Sequence, residues 1–120
     1  MATVLVVEDV PANRALVIRL LRAAGHDVMD AEDVSTSLAL AREHRPDVIL
    51  MDLSMPGIDG WEGLRRIRAD HEIAGCPVVA LSAHAMTSDR ERAIAAGFDG
   101  YMTKPIDAAT FAETVLSYLK

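Results

Sequence analysis

Acids, a hydroxyl and an ammonium recur at one kind of place in this chain, the end of an apolar run. Asp52 closes V-I-L-M-D (48 to 52), Glu8 and Asp9 close V-L-V-V-E-D (4 to 9), Ser82 closes P-V-V-A-L-S (77 to 82), and Lys104 follows Y-M-T (101 to 103). Runs of this kind, continuous in Val, Ile and Leu, are strands buried on both faces, and such strands belong to parallel sheets whose working groups gather at the carboxyl ends. If the runs ending in Glu8-Asp9 and in Asp52 are neighbours, three carboxylates share one pocket. Gathering like charges costs stability, so the set calls for a hard divalent cation, most simply Mg2+ held by one or two carboxylates and waters. With a hydroxyl and an ammonium added, the economical use is in-line transfer of a phosphoryl group onto Asp52, the other groups positioning and neutralising its oxygens.

The rest of the chain must position those ends. At 120 residues and 51% hydrophobic it holds one core and has no room for a second module. Its net charge of -6 argues against direct nucleic-acid binding. No basic leader precedes the first strand, and no apolar run approaches the roughly 18 residues that span a bilayer, so a cytoplasmic protein is expected. The lone Cys76 has no partner for an internal disulfide and reads as an inert thiol.

Apolar runs alternate with amphipathic stretches five times, punctuated by turn residues. The first strand spans about Thr3 to Val7; a helix opens near Pro11 and stops before Gly25. A short strand, Asp27 to Ala31, precedes a helix capped by Asp33 that runs to His44, and Pro46 separates it from a third strand beginning at Asp47. Asp59 with Glu62 opens the third helix and Ser88 with Glu91 the fourth, each as a capping box, and Gly97 closes the fourth. The fifth strand is about Gly100 to Thr103, and the last helix starts after Asp107 and reaches Leu119. Right-handed crossovers turn this into a doubly wound five-stranded parallel α/β sheet, for which the flavodoxin-like order 2-1-3-4-5 is the common solution. Asn13, Leu16, Val17, Leu20, Leu21 and Ala24 share the core face of the first helix, Trp61 is a partly buried anchor, and Met51, Met55, Met86 and Met102 fill gaps.

Four motifs, E-D at 8 to 9, M-D-L-S-M-P-G-I-D-G at 51 to 60, L-S-A at 81 to 83 and Y-M-T-K-P-I at 101 to 106, stand in order at successive strand ends. Over essentially its whole length the sequence resembles the receiver domains of two-component response regulators. The resemblance implies a single receiver domain over 1–120, not an enzyme beyond catalysing its own phosphorylation and dephosphorylation. It implies that Asp52 is the phosphoacceptor, that Glu8, Asp9, Asp52 and the backbone carbonyl of Ser54 hold Mg2+, and that Lys104 and Ser82 contact the phosphoryl group. Ser82 and Tyr101 match the family's switch pair, whose aromatic ring turns inward on phosphorylation and remodels the surface of helix four, strand five and helix five, where a downstream protein binds. A histidine kinase or histidine phosphotransfer protein is the implied donor, docking on the first helix at Arg14 and Ile18 and beside Pro105. The Lys104-Pro105 bond is expected to be cis.

Glu8 stands where the family more often has aspartate, one methylene shorter. Ser54 and His84 occupy positions that tune the survival of the phosphoryl group, and neither is an acid or amide that orients an attacking water well, so slow self-hydrolysis is expected. A chain standing alone is favoured over a receiver segment of a hybrid kinase or multidomain regulator by the lack of a linker or DNA-reading module. A phosphohydrolase of the commonest aspartate class would carry a second acid at position 54, where Ser54 stands. A flavin carrier would need a glycine- and hydroxyl-rich phosphate loop where E-D-V-P-A-N repels phosphate.

Overall fold

The computed structural model describes residues 2–83, 86–104 and 106–118. Strands β1 (Thr3–Val7), β2 (Asp27–Ala31), β3 (Val48–Asp52), β4 (Val78–Ser82) and β5 (Gly100–Thr103) alternate with helices α1 (Pro11–Ala23), α2 (Val34–His44), α3 (Gly60–Ala69), α4 (Thr87–Ala96) and α5 (Phe111–Leu116). The strands pair in parallel in the order β2-β1-β3-β4-β5, the doubly wound arrangement expected from the alternation.

Successive strand residues point to opposite faces, and this divides the core in two. Leu5, Val7, Ile49, Met51, Val78, Ala80 and Tyr101 pack under α2, α3 and α4. Val4, Val6, Val48, Leu50, Val79 and Leu81 pack under Val17 and Leu21 of α1 and Phe111 and Val115 of α5. Both faces of β3 and β4 are covered and every residue in them is buried, which is why neither shows polar alternation. The same parity carries beyond the strand ends: Glu8 continues Val4 and Val6, Asp52 continues Val48 and Leu50, and Lys104 continues Met102. These three are set to emerge on one side of the sheet.

Several local expectations differ in detail. The Asp33 and Asp59 carboxylates accept the N–H of Thr36 and Glu62 as N-caps, yet Glu62 does not reach back and pairs with Arg65 and Arg66. Helix α4 starts at Thr87, so Ser88 lies inside its first turn and the Ser88-Glu91 box does not form; Met86 takes the cap position without a side-chain bond. Regular helix α5 begins at Phe111 because Asp107 organises a preceding turn, its carboxylate accepting from Ala109 and its carbonyl from Thr110 and Phe111. On α1, Val17 and Leu21 are buried, Asn13, Leu16 and Leu20 half-buried and Ala24 exposed, since α1 ends at Ala23 and Ala24 is already its C-cap. Met51 and Met55 are buried, whereas Met86 is 68% exposed. No helix among the described residues is long and apolar enough to cross a membrane.

Candidate functional site

Each acid is delivered by the end of a strand whose register leaves no freedom to slip. Val7 pairs with Met51 across β1 and β3, so Glu8 and Asp52 follow side by side, and Asp52 pairs with Leu81 on β4. Glu8 and Asp52 are 1% and 2% exposed, and Asp9 is half-buried. One carboxylate oxygen from each of Glu8, Asp9 and Asp52 falls within a group spanning 4.8 Å. Lys104 arrives from the end of β5, its backbone N–H held by the carbonyl of Ser82 at 2.8 Å. Its Nζ lies 2.6 Å from Glu8 Oε1 and 3.4 Å from Asp52 Oδ2.

The loop after β3 completes the surroundings of Asp52. Ser54 donates its backbone N–H and its hydroxyl to Asp52 Oδ1, at 3.1 and 3.2 Å. Gly60, the first residue of α3, sits so close that a Cβ there would lie 2.3 Å from the carbonyl oxygen of Asp52. Helix α3 is thereby fixed against the backbone that carries the carboxylate.

The electrostatics are those of a crowded acid pocket with one ammonium. Burial, then the neighbouring Asp52 carboxylate, push the Glu8 carboxyl up to about 7 against the pull of Lys104. Burial would raise Asp52 too, but Glu8, the Ser54 backbone N–H and Lys104 together hold it below the usual aspartate range. Burial disfavours the Lys104 ammonium, and the carboxylates of Glu8 and Asp52 outweigh it, so its pKa is raised. Two buried oxygen donors, a third beside them and negative charge in excess of what Lys104 meets fit a hard cation such as Mg2+. Glu8 tending to hold a proton is the sign of that unmet charge.

Ser82 and Tyr101 both line a cavity of about 270 Å³ with Leu53, Ser54, Trp61, Asp89 and Arg92. Across β4 and β5 Tyr101 is in register with Ala80, and Ser82 with Thr103, so the two are diagonal neighbours. Tyr101 is 4% exposed, so the ring that the resemblance would turn inward already lies inward. Helix α4 walls this cavity and buries only Ala93. Among the described residues Arg92 ties it to Trp61, its guanidinium 4.6 Å from the ring centroid, and Arg90 donates to the Tyr101 carbonyl at 3.5 Å. Trp61 in turn meets Phe98 edge to face.

Of the residues singled out from the sequence, Glu8, Asp9, Asp52, Ser54 and Lys104 come together, and Ser82 and Tyr101 join them through the adjoining cavity. Ile18 lies apart, half-buried in an open groove on α1 with Ala15, Arg19, Arg22 and Ala23. Arg14 is turned away from that groove into contacts within the chain, to the Glu8 carbonyl and to Asp30. His84, Pro105 and the expected cis bond before Pro105 lie outside the described residues. The close approach of Gly60 and the Trp61–Arg92 stack were not read from the sequence. A glycine directly after an N-cap aspartate was the available signal for the first, and nothing local announces the second.

Residues 4–116 match the family model of the response regulator receiver domain. The chain is 40% identical over 117 residues to the polar-differentiation response regulator DivK of Brucella anthropi, covering 98% of this chain and 95% of that protein. It superposes on the chemotaxis response regulator CheY4 of Vibrio cholerae with a TM-score of 0.91 at 31% identity, over 99% of both chains. It also superposes on the receiver domain of sensor histidine kinase PA1611 from Pseudomonas aeruginosa with a TM-score of 0.87 at 33% identity, over 98% of this chain and 96% of that one, and that structure has a magnesium ion coordinated in its active site cleft.

Proposed function

The chain belongs to the response regulator receiver domain family of two-component systems, and on that premise we propose that residues 1–120 act as one receiver unit that accepts a phosphoryl group on Asp52. Receiver domains are signalling modules and not classical enzymes. The observation that most supports the reading is the placement of Lys104 over two buried carboxylates, 2.6 Å from Glu8 and 3.4 Å from Asp52. An ammonium there meets charge that arrives on Asp52 without itself being a nucleophile.

In this reading an Asp52 oxygen attacks the phosphorus of a phosphohistidine; the new P–O bond forms as the N–P bond breaks, and the histidine nitrogen departs with the electron pair. Glu8, Asp9, Asp52 and the backbone carbonyl of Ser54 would hold Mg2+, whose chemistry is to neutralise phosphoryl oxygen as charge develops there. Lys104 and the Ser82 hydroxyl meet the remaining oxygens. The Ser54 contacts to Asp52 Oδ1 orient the carboxylate.

A histidine kinase or histidine phosphotransfer protein is the donor, with the groove at Ile18 supporting contact on α1. The output partner is a protein bound at α4, β5 and α5, where Ile94 and Leu116 stand exposed. A net charge of -6 supports a protein and not a nucleic acid in that role.

Incubation with acetyl phosphate or phosphoramidate and Mg2+ tests the reading. Wild type becomes labelled through a bond labile to alkali and to hydroxylamine, and Asp52→Asn does not. Full labelling of Asp52→Asn, or a bond resistant to both reagents, overturns it.

A further inference from the structure

Arg14 has a place in the chain that docking does not explain. Its side chain is 18% exposed, with Nη1 donating to the backbone carbonyl of Glu8 at 2.8 Å and Nε 3.2 Å from Asp30 Oδ2 on β2. Its own backbone N–H donates to the carbonyl of Val10 at 3.0 Å. That backbone bond is the first of α1 and any residue at 14 would make it; the side chain itself fixes the Glu8 carbonyl of the loop that carries Glu8 and Asp9. The Glu8 backbone N–H donates to the Ala31 carbonyl at 3.1 Å, so the same loop is tied to β2 both directly and through Arg14 and Asp30.

The three acids crowd one another, and the Lys104 ammonium at Glu8 and Asp52 meets only part of their charge. A brace on the loop backbone helps to keep them converged. We propose that Arg14 is a positioning residue for the metal acids: by fastening the Glu8 carbonyl to Asp30, it holds Glu8 and Asp9 in the arrangement that converges with Asp52 on one divalent cation. This rests on the Mg2+ reading above. Residues that hold ligands without touching the metal contribute to affinity through preorganisation. The planar guanidinium reaches a carbonyl and a carboxylate at once, which the point charge of a lysine does less well.

Charge alone predicts the opposite sign. A cation beside the site repels Mg2+, so its removal would tighten binding if Arg14 acted only through its charge. Mg2+ binding by isothermal titration calorimetry, far below the melting temperature, separates the two. The expected dissociation constant rises about tenfold in Arg14→Gln, with Arg14→Lys intermediate and Asp30→Asn shifted in the same direction as Arg14→Gln. Melting curves in EDTA read the purely structural role; a lower melting temperature with an unchanged dissociation constant, or tighter binding in Arg14→Gln, overturns the inference. Should Arg14→Gln not fold, Arg14→Lys, which keeps the charge and loses the planar fork, decides by the same criterion. A wild type that binds no Mg2+ overturns the metal reading and this inference together, whereas a wild type that binds and variants that bind equally overturn this inference alone.

Discussion

Lys104 is nearer to Glu8 than to Asp52, 2.6 Å against 3.4 Å, although Asp52 is the residue proposed to accept the phosphoryl group. The extra methylene of a glutamate lets its carboxylate reach the ammonium. The pocket therefore contains an internal partner for Lys104, and in the proposed reading charge arriving on Asp52 would draw the ammonium across from it. Glu8 is also where the pocket relieves its charge by tending to keep a proton.

The consequence for stability follows from the direction of that shift. Burial and Asp52 raise the Glu8 carboxyl from 4.5 to about 7, so folding favours its protonated form. This stabilisation is fully present below the unfolded value and is lost as pH rises through about 7. The Asp52 pKa is lowered, so its contribution changes below 3.8, outside that window. Metal-free protein should lose on the order of 2 kcal/mol between these limits, from about 1.4 kcal/mol per pKa unit with allowance for relaxation. Urea unfolding at pH 4.5, 6 and 8 in EDTA checks this: the fall should be present in wild type and absent in Glu8→Gln.

Neutralising an acid should likewise stabilise the empty pocket. Asp9→Asn removes one of three mutually repelling carboxylates and should raise the stability of metal-free protein by about 1 kcal/mol. Mg2+ should raise the melting temperature of wild type and do much less for the variant. A variant less stable than wild type in EDTA, with equal shifts on adding Mg2+, would remove the basis of the shared acid pocket.

Strand ends and acids were legible in the sequence because burial on both faces writes itself as unbroken Val-Ile-Leu-Met runs, as in 48 to 51, and a charged residue closing such a run has few other reasons to be there. The bounds of β1, β2, β5 and α2 follow from local punctuation such as Gly100 and Asp33. The start of α4 was not legible: Ser88 and Glu91 have the spacing of a capping box, but the turn forms from Met86 and leaves Ser88 inside it. Contacts between distant segments were invisible for a different reason. The positions of Arg92 over Trp61 and of Arg14 between Glu8 and Asp30 depend on how helices dock, and residue types alone carry no record of it.

Gly60 offers a test of how tightly the strand that carries Asp52 is coupled to α3. A methyl group there would meet the Asp52 carbonyl oxygen at 2.3 Å and the Leu53 Cα at 2.8 Å, both backbone atoms that cannot rotate away. Gly60→Ala should cost about 2 to 3 kcal/mol by overpacking and slow labelling of Asp52 by acetyl phosphate. Gly75→Ala, with no atom within 4 Å of the added methyl, should leave both within error. Equal denaturation midpoints for the two variants would show that α3 yields at no cost.

The last prediction concerns how the signal leaves the site. Tyr101 is already inside, so in the proposed reading phosphorylation acts on a cavity whose aromatic wall is in place, and the elements left to respond are the Ser82 side chain and α4 beside it. That helix buries one residue, Ala93, and among the described residues Arg92 stacks on Trp61 and Arg90 donates to the Tyr101 carbonyl, a sparse anchoring that lets it shift. A ligand moves such an element only by binding its two arrangements with different affinity. Ser82→Ala should therefore still accept phosphoryl groups, more slowly, while losing most of the change on α4 and β5. Backbone NMR shifts of residues 86 to 104 with and without beryllofluoride read this directly, and the fluorescence of Trp61, the single tryptophan of the chain, gives a second signal. If wild type and Ser82→Ala show the same shifts, the hydroxyl does not couple the acceptor to α4, and the route must run through Gly60 and Trp61 instead.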